Sequence, residues 1–104
     1  MNQQAVKSLI RQYVKKIQAS GIPVEQAIVF GSQTKGSAHK WSDIDTCIVS
    51  PLFGHNRHAE RLKLMFLTDR NTDMIEPHPY HPNDLADKSD PLAVEILKHG
   101  MRVL

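Results

Sequence analysis

Ala27-Ile28-Val29-Phe30 is an unbroken apolar run that stops at Gly31-Ser32. A run of that length closed by glycine reads as a buried strand whose C-terminal end opens into a Gly/Ser turn. A second strand is expected from Asp43 to Val49, ended by Ser50-Pro51. Its period of two sends Ile44 and Ile48 to one face and Asp43, Asp45, Cys47 and Val49 to the other.

Around these two strands the signals are mostly helical. Val6, Leu9, Ile10, Tyr13, Val14 and Ile17 recur at three- and four-residue intervals, which predicts an amphipathic helix from Gln3 to Ala19, stopped by Gly21 and Pro23. Leu62, Met65 and Phe66, widened by Leu64 and Leu67, predict a packed helix between Arg57 and Asp69. A third strand is expected from Met74 to Glu76, stopping at Pro77. The proline-rich stretch to Asp90 should be extended or turning, with a short helix at Asn83 to Ala86. Asp90-Pro91 reads as an N-cap and first helical residue. Gly100 would close that helix, with Leu92, Val94, Ile96 and Leu97 as its apolar contacts, and Met101 to Leu104 would add a last strand.

A length of 104 residues suits one domain spanning residues 1–104, because a single hydrophobic core can be completed at that size. The net charge of +2, from 13 basic and 11 acidic residues, is too small and too dispersed to argue for a nucleic-acid groove. Cys47 is the sole cysteine, so no intramolecular disulfide is expected. No apolar run approaches the roughly 20 residues that span a bilayer, and a cytoplasmic address is the default expectation.

Gly31-Ser32, directly after a buried strand, suits close approach of phosphate oxygens to the backbone. Ser32 adds a hydroxyl donor, and Gly36 lets the chain turn back. Such a turn alone is weak, since it is more often an ordinary strand-to-helix turn. Asp43 and Asp45 strengthen it. Residues two apart on a strand share a face with Cα atoms roughly 6.5–7 Å apart. Paired carboxylates repel unless a cation lies between them, and Mg²⁺ characteristically takes one or two carboxylates together with substrate phosphates. A third acid on a neighbouring strand would complete a two-metal site. Glu76 and Asp73 are both candidates, with Glu76, at the expected strand end, preferred.

The pattern GSxxxGxxxxxSDID from Gly31 to Asp45, followed by a strand with a third acid, resembles the nucleotidyltransferase superfamily typified by DNA polymerase beta. Within it, IEPHPY, then PNDL, then a helix ending in KHG resemble the minimal nucleotidyltransferases. That resemblance implies an α/β (α+β) fold, a mixed sheet with helices packed on one face. It implies ATP or another nucleoside triphosphate as donor and two Mg²⁺ ions, with Mn²⁺ an alternative. Gly31 and Ser32 would then hold the triphosphate, and Asp43 and Asp45 would ligate both ions. Glu76 would ligate the catalytic ion and help deprotonate an acceptor hydroxyl. Many relatives carry aspartate there, which keeps Asp73 in contention. Minimal members often pair with a small helical HEPN-type protein in what look like toxin–antitoxin systems, so transfer of AMP to such a partner is the implied activity. A catalytically silent module that only sequesters its partner is the alternative.

Other residues carry weaker signals. His78 and His81 are spaced HxxH, but the surrounding prolines exclude the helical geometry of a zinc pair, and His55 and His58 rank no higher. His78 is expected to support Glu76. Trp41 suits core packing better than stacking on a base. Lys35, His39 and Lys40 are phosphate contacts or simply solvated, and Cys47 reads as an inert core residue.

Overall fold

The computed structural model describes residues 2–31 and 43–104. Helix α1 (Gln3–Ala19) buries Val6, Ile10, Tyr13, Val14 and Ile17, the stripe that its periodicity predicts. Asn2 caps it by accepting from Ala5 N–H. At the other end Gly21, with φ +99°, lets Gly21 N–H reach the Gln18 carbonyl and Ile22 N–H the Ile17 carbonyl. This Schellman closure turns the chain toward the sheet and buries Ile22.

Four strands form one sheet in the order β3-β2-β1-β4: β1 (Gln26–Phe30), β2 (Ile44–Val49), β3 (Ile75–Tyr80) and β4 (Met101–Arg102). β1 pairs antiparallel with both β2 and β4, whereas β2 and β3 run parallel, so the sheet is mixed as expected. Ala27, Val29, Ile44, Ile48 and Ile75 pack with α1 and with Leu64 of α2 (Arg57–Phe66). Ile28, Phe30, Cys47, Val49 and Tyr80 pack against Leu85 of α3 (Pro82–Leu85) and Ala93 and Ile96 of α4 (Pro91–His99). Helices therefore cover the face where they were expected and the opposite face as well. That is why β1 is apolar without alternation.

Three local expectations need correction. First, β3 does not stop at Pro77 but continues through Pro79 to Tyr80. It is an edge strand, and Met74 and Tyr80 offer their carbonyls to Ile44 and Ser50 of the β2 side. Alternation then directs the backbone of residues 76 and 78 to β2 and the nitrogens of Pro77 and Pro79 to the open edge, where no ladder N–H is needed.

Second, α2 ends at Phe66, and its expected core stripe is exposed: Leu62 at 42%, Met65 at 46% and Phe66 at 86%. The helix rides along the edge strand, and Leu64 is its one buried residue. Third, α4 buries Ala93 and Ile96 while Leu92, Val94 and Leu97 are exposed. At about 100° per residue Leu92 and Val94 cannot share a face, and Ala93 and Ile96 can.

α2 is anchored at its start by Glu60, whose carboxylate accepts N–H groups from Gly54, His55 and Asn56. Desolvation pushes this carboxyl up, but the three backbone donors and the nearby His55 outweigh it and hold it below its ordinary value. A carboxylate stabilised in this way contributes above its unfolded pKa, and the contribution is lost as pH falls through the lowered folded value. Glu60→Gln should therefore lower the urea midpoint at neutral pH and flatten its decline on acidification below pH 4.5, the ordinary value.

Gly100 caps α4 at an ordinary φ of −70°, so conformation alone does not require glycine. Space does: a Cβ there would overlap Ile28 Cγ2 and the Ile96 carbonyl. Gly100→Ala is expected to cost roughly 1–3 kcal/mol through overpacking. At Gly21, where a Cβ meets nothing within 4 Å, alanine should cost about 1–2 kcal/mol through the left-handed backbone alone. Urea denaturation of the two variants measures the two costs.

Candidate functional site

The parallel pairing of β2 with β3 sets Asp45 opposite Glu76 and Cys47 opposite His78. The antiparallel pairing with β1 sets Asp45 opposite Phe30, the residue before Gly31. Because alternate residues share a face, Asp45, Glu76 and His78 emerge on the side of the sheet that also carries Phe30. One ligand atom from each of Asp45, Glu76 and His78 lies within 4.8 Å of the other two.

Each carboxylate has a cationic or hydrogen-bonding neighbour. His78 Nε2 lies 3.2 Å from Asp45 Oδ1, and the two side chains are 20% and 30% exposed. Arg61, reaching across from α2, donates to Glu76 Oε1 at 2.8 Å. The His78 ring rests against Phe30, with centroids 5.0 Å apart and planes inclined by 59°. These contacts offset the repulsion of two acids brought together at a sheet end.

Gly31 closes the other side. Its φ is +78°, and a Cβ there would stand 2.7 Å from Asp45 Oδ2. Glycine is thus required twice, by the left-handed backbone and by the room that Asp45 occupies.

Asp43 is exposed just ahead of β2. It lines a cleft with Arg61, Met65, Asp73 and Glu76. The structure therefore brings Asp45 and Glu76 side by side, with Asp43 and Asp73 on the rim of the adjoining cleft. Asp73 lies in the turn before β3, outside the close group. Ser32, Lys35, Gly36, His39, Lys40 and Trp41 lie outside the described residues.

Two participants were not assigned their observed roles from sequence. His78 contacts Asp45 rather than supporting Glu76; its i+2 spacing from Glu76 was a usable signal only if β3 passed through the prolines. Arg61 is 15 residues from Glu76, and no local pattern announces that pair. His81 does not join His78, because its Nδ1 accepts from Asn83 N–H and caps α3. Cys47 is buried, and burial, only partly offset by Arg57, pushes its thiol up to about 12, which makes it the inert core residue expected.

Two carboxylates and an imidazole at this spacing could hold a divalent ion. A second cleft, lined by Arg57, His58, Arg61, His78, Tyr80 and Leu92, adjoins the first through the shared Arg61 and offers positive charge to an anionic ligand. Arg57 lies 4.4 Å over the Tyr80 ring, which holds that charge in place. No helix among the described residues is long and apolar enough to cross a membrane.

Comparison with known proteins points the same way. The family model of the nucleotidyltransferase domain matches residues 7–97. Among curated proteins there is no match. Among solved structures, the chain is similar to a candidate nucleotidyltransferase from Sulfolobus solfataricus, at 17% identity and a TM-score of 0.61, over 98% of this chain and 87% of that one. It is also similar to a toxin–antitoxin with AMP-PNP, at 21% identity and a TM-score of 0.56, over 94% of this chain and 72% of that one. At these identities the likeness is one of fold.

Gly31→Ala should displace the Asp45 carboxylate while leaving the core intact. Mn²⁺ affinity, titrated by electron paramagnetic resonance, is expected to fall about tenfold or more, the usual scale when a ligand's support is lost, with the far-ultraviolet circular dichroism unchanged.

Proposed function

Because the chain belongs to the nucleotidyltransferase domain family, we propose that it transfers AMP from ATP to a hydroxyl group on a partner protein. The observation that carries this reading is the parallel β2–β3 register, which sets Asp45 beside Glu76 next to the glycine that ends β1. Paired acids at a strand end, with a glycine-bounded gap beside one of them, suit a nucleoside triphosphate bound with divalent ions.

In this reading Asp43 and Asp45 would hold two divalent ions, Mg²⁺ or Mn²⁺, and Glu76 would ligate the catalytic ion and help to take the acceptor's proton. Gly31 and Ser32 receive the triphosphate. The ions supply positive charge to the triphosphate and the departing pyrophosphate. The acceptor oxygen forms a bond to the α-phosphorus as the bond to pyrophosphate breaks, and the residues contribute positioning and electrostatics rather than covalent chemistry. Arg57 and Arg61 give the neighbouring cleft the charge to retain a polyphosphate.

A protein acceptor is favoured by the exposed face of α2. Leu62, Met65 and Phe66 are apolar and uncovered, and Met65 also lines the cleft of Asp43 and Glu76. An apolar surface reaching the rim of a site suits a partner that brings its own complementary face. A small helical HEPN-type toxin, with this chain as its antitoxin, fits that description. The structural neighbour that is a toxin–antitoxin with AMP-PNP lends support by fold.

The test is transfer of label from ATP carrying ³²P at the α position to the co-purified partner, followed by mass spectrometry for added AMP. Asp45→Asn, alone or with Asp43→Asn, should abolish labelling, a loss of more than about a hundredfold. If the double variant still neutralises the partner as the parent chain does, sequestration rather than transfer is the function. Phe66→Asp should weaken partner capture without changing nucleotide binding.

A further inference from the structure

The geometry points to His78 as a nitrogen ligand of the divalent ion at Asp45 and Glu76, so that the centre favours first-row transition ions over Mg²⁺. This rests on the metal-dependent reading above and deepens it by naming the class of ion.

Register is the first ground. His78 stands two residues from Glu76 on β3 and opposite Cys47, so it shares the face of Asp45 and Glu76. Distance is the second. Ligands at roughly 2.1 Å from an octahedral ion lie about 3 Å apart when adjacent and about 4.2 Å apart when opposite. His78 Nε2 and Asp45 Oδ1, at 3.2 Å, already match an adjacent pair. Glu76 completes the group within 4.8 Å, a small side-chain movement from closure.

Preorganisation is the third ground. Pro77 and Pro79 flank His78 and fix their own φ angles near −65°, which stiffens β3 on both sides of it. The Phe30 ring packs against the imidazole at a tilt. A histidine whose only task was a hydrogen bond to Asp45 would need none of this placement relative to Glu76.

The chemistry then sets the preference. Mg²⁺ takes hard oxygen ligands and gives up water reluctantly. Imidazole nitrogen adds affinity along the transition series, in which Mn²⁺ is the weakest binder and hence the most demanding probe. Two carboxylates alone would discriminate far less between Mn²⁺ and Mg²⁺.

The experiment uses the full chain without nucleotide. Mn²⁺ is titrated by electron paramagnetic resonance, Mg²⁺ is measured by competition, and the bound Mn²⁺ is examined by electron spin echo modulation for coupling to ¹⁴N. The expected result is ¹⁴N coupling in the parent chain and its loss in His78→Gln, which keeps an N–H donor for Asp45 but has no imidazole. Mn²⁺ affinity should fall about tenfold in that variant, the scale of losing one ligand contact, with a smaller change for Mg²⁺. Because the parent's spectrum needs no substitution, the test survives a variant that fails to fold. Binding that depends on Asp45, as judged by Asp45→Asn, but shows no ¹⁴N coupling, or coupling that persists in His78→Gln, overturns the assignment of His78 and leaves the carboxylate site standing. Binding indifferent to Asp45→Asn overturns the site itself, and the inference with it.

Discussion

Parallel pairing of β2 with β3 is the contact on which the rest of the molecule depends. It sets Asp45 against Glu76. It requires a crossover between the two strands, and α2 fills it, carrying Arg61 to Glu76 and Arg57 to Tyr80. A parallel strand can be added only through such a connection. The covalent path that builds the sheet therefore also delivers Arg61 to its acidic end. β3 lies at the edge, where prolines at alternate positions cost no ladder hydrogen bonds and discourage another strand from joining.

Charge balance follows from that arrangement. Two carboxylates at one sheet end repel, and the folded chain sets the Arg61 guanidinium on Glu76 and the His78 imidazole within hydrogen-bond distance of Asp45. Arg61 and Glu76 are partly exposed, with side chains at 40% and 34%, so their pair is a weak and exchangeable contact rather than a buried lock. Such a contact can yield to a divalent ion, which brings more charge to the same oxygens. Gly31 keeps the space beside Asp45 Oδ2 free of a side chain.

The apolar surface left outside is as informative as the core. α1 and the inward residues of β1 and β2 close one side, and Ile96 and Ala93 of α4 close the other. That leaves Leu62, Met65 and Phe66 on α2 without cover among the described residues. Their helical spacing is that of a core stripe, and Met65 also lines the acidic cleft; a protein acceptor is proposed on these two features.

Local signals in the sequence determined the elements whose causes are local. The 3.6-residue stripe and Gly21 set α1, the unbroken run ending at Gly31 set β1, and alternation in β2 assigned Ile44 and Asp45 to opposite faces. Asp90 and Pro91 marked the start of α4, where Asp90 Oδ1 accepts from Leu92 and Ala93. Tertiary structure alone decided whether β3 ran through its prolines, because only an edge position makes their missing donors harmless. It alone placed Arg61 on Glu76 and His78 on Asp45, and it left the stripe of α2 uncovered. Periodicity reports which residues share a face, since that is set by backbone repeat within a few residues. What that face meets depends on strand order and register, which are fixed by contacts between segments far apart in the chain. The segment from Gly31 to Asp45 could be recognised as a candidate site from its residues, but the acid, the imidazole and the arginine that complete it are brought there by the sheet.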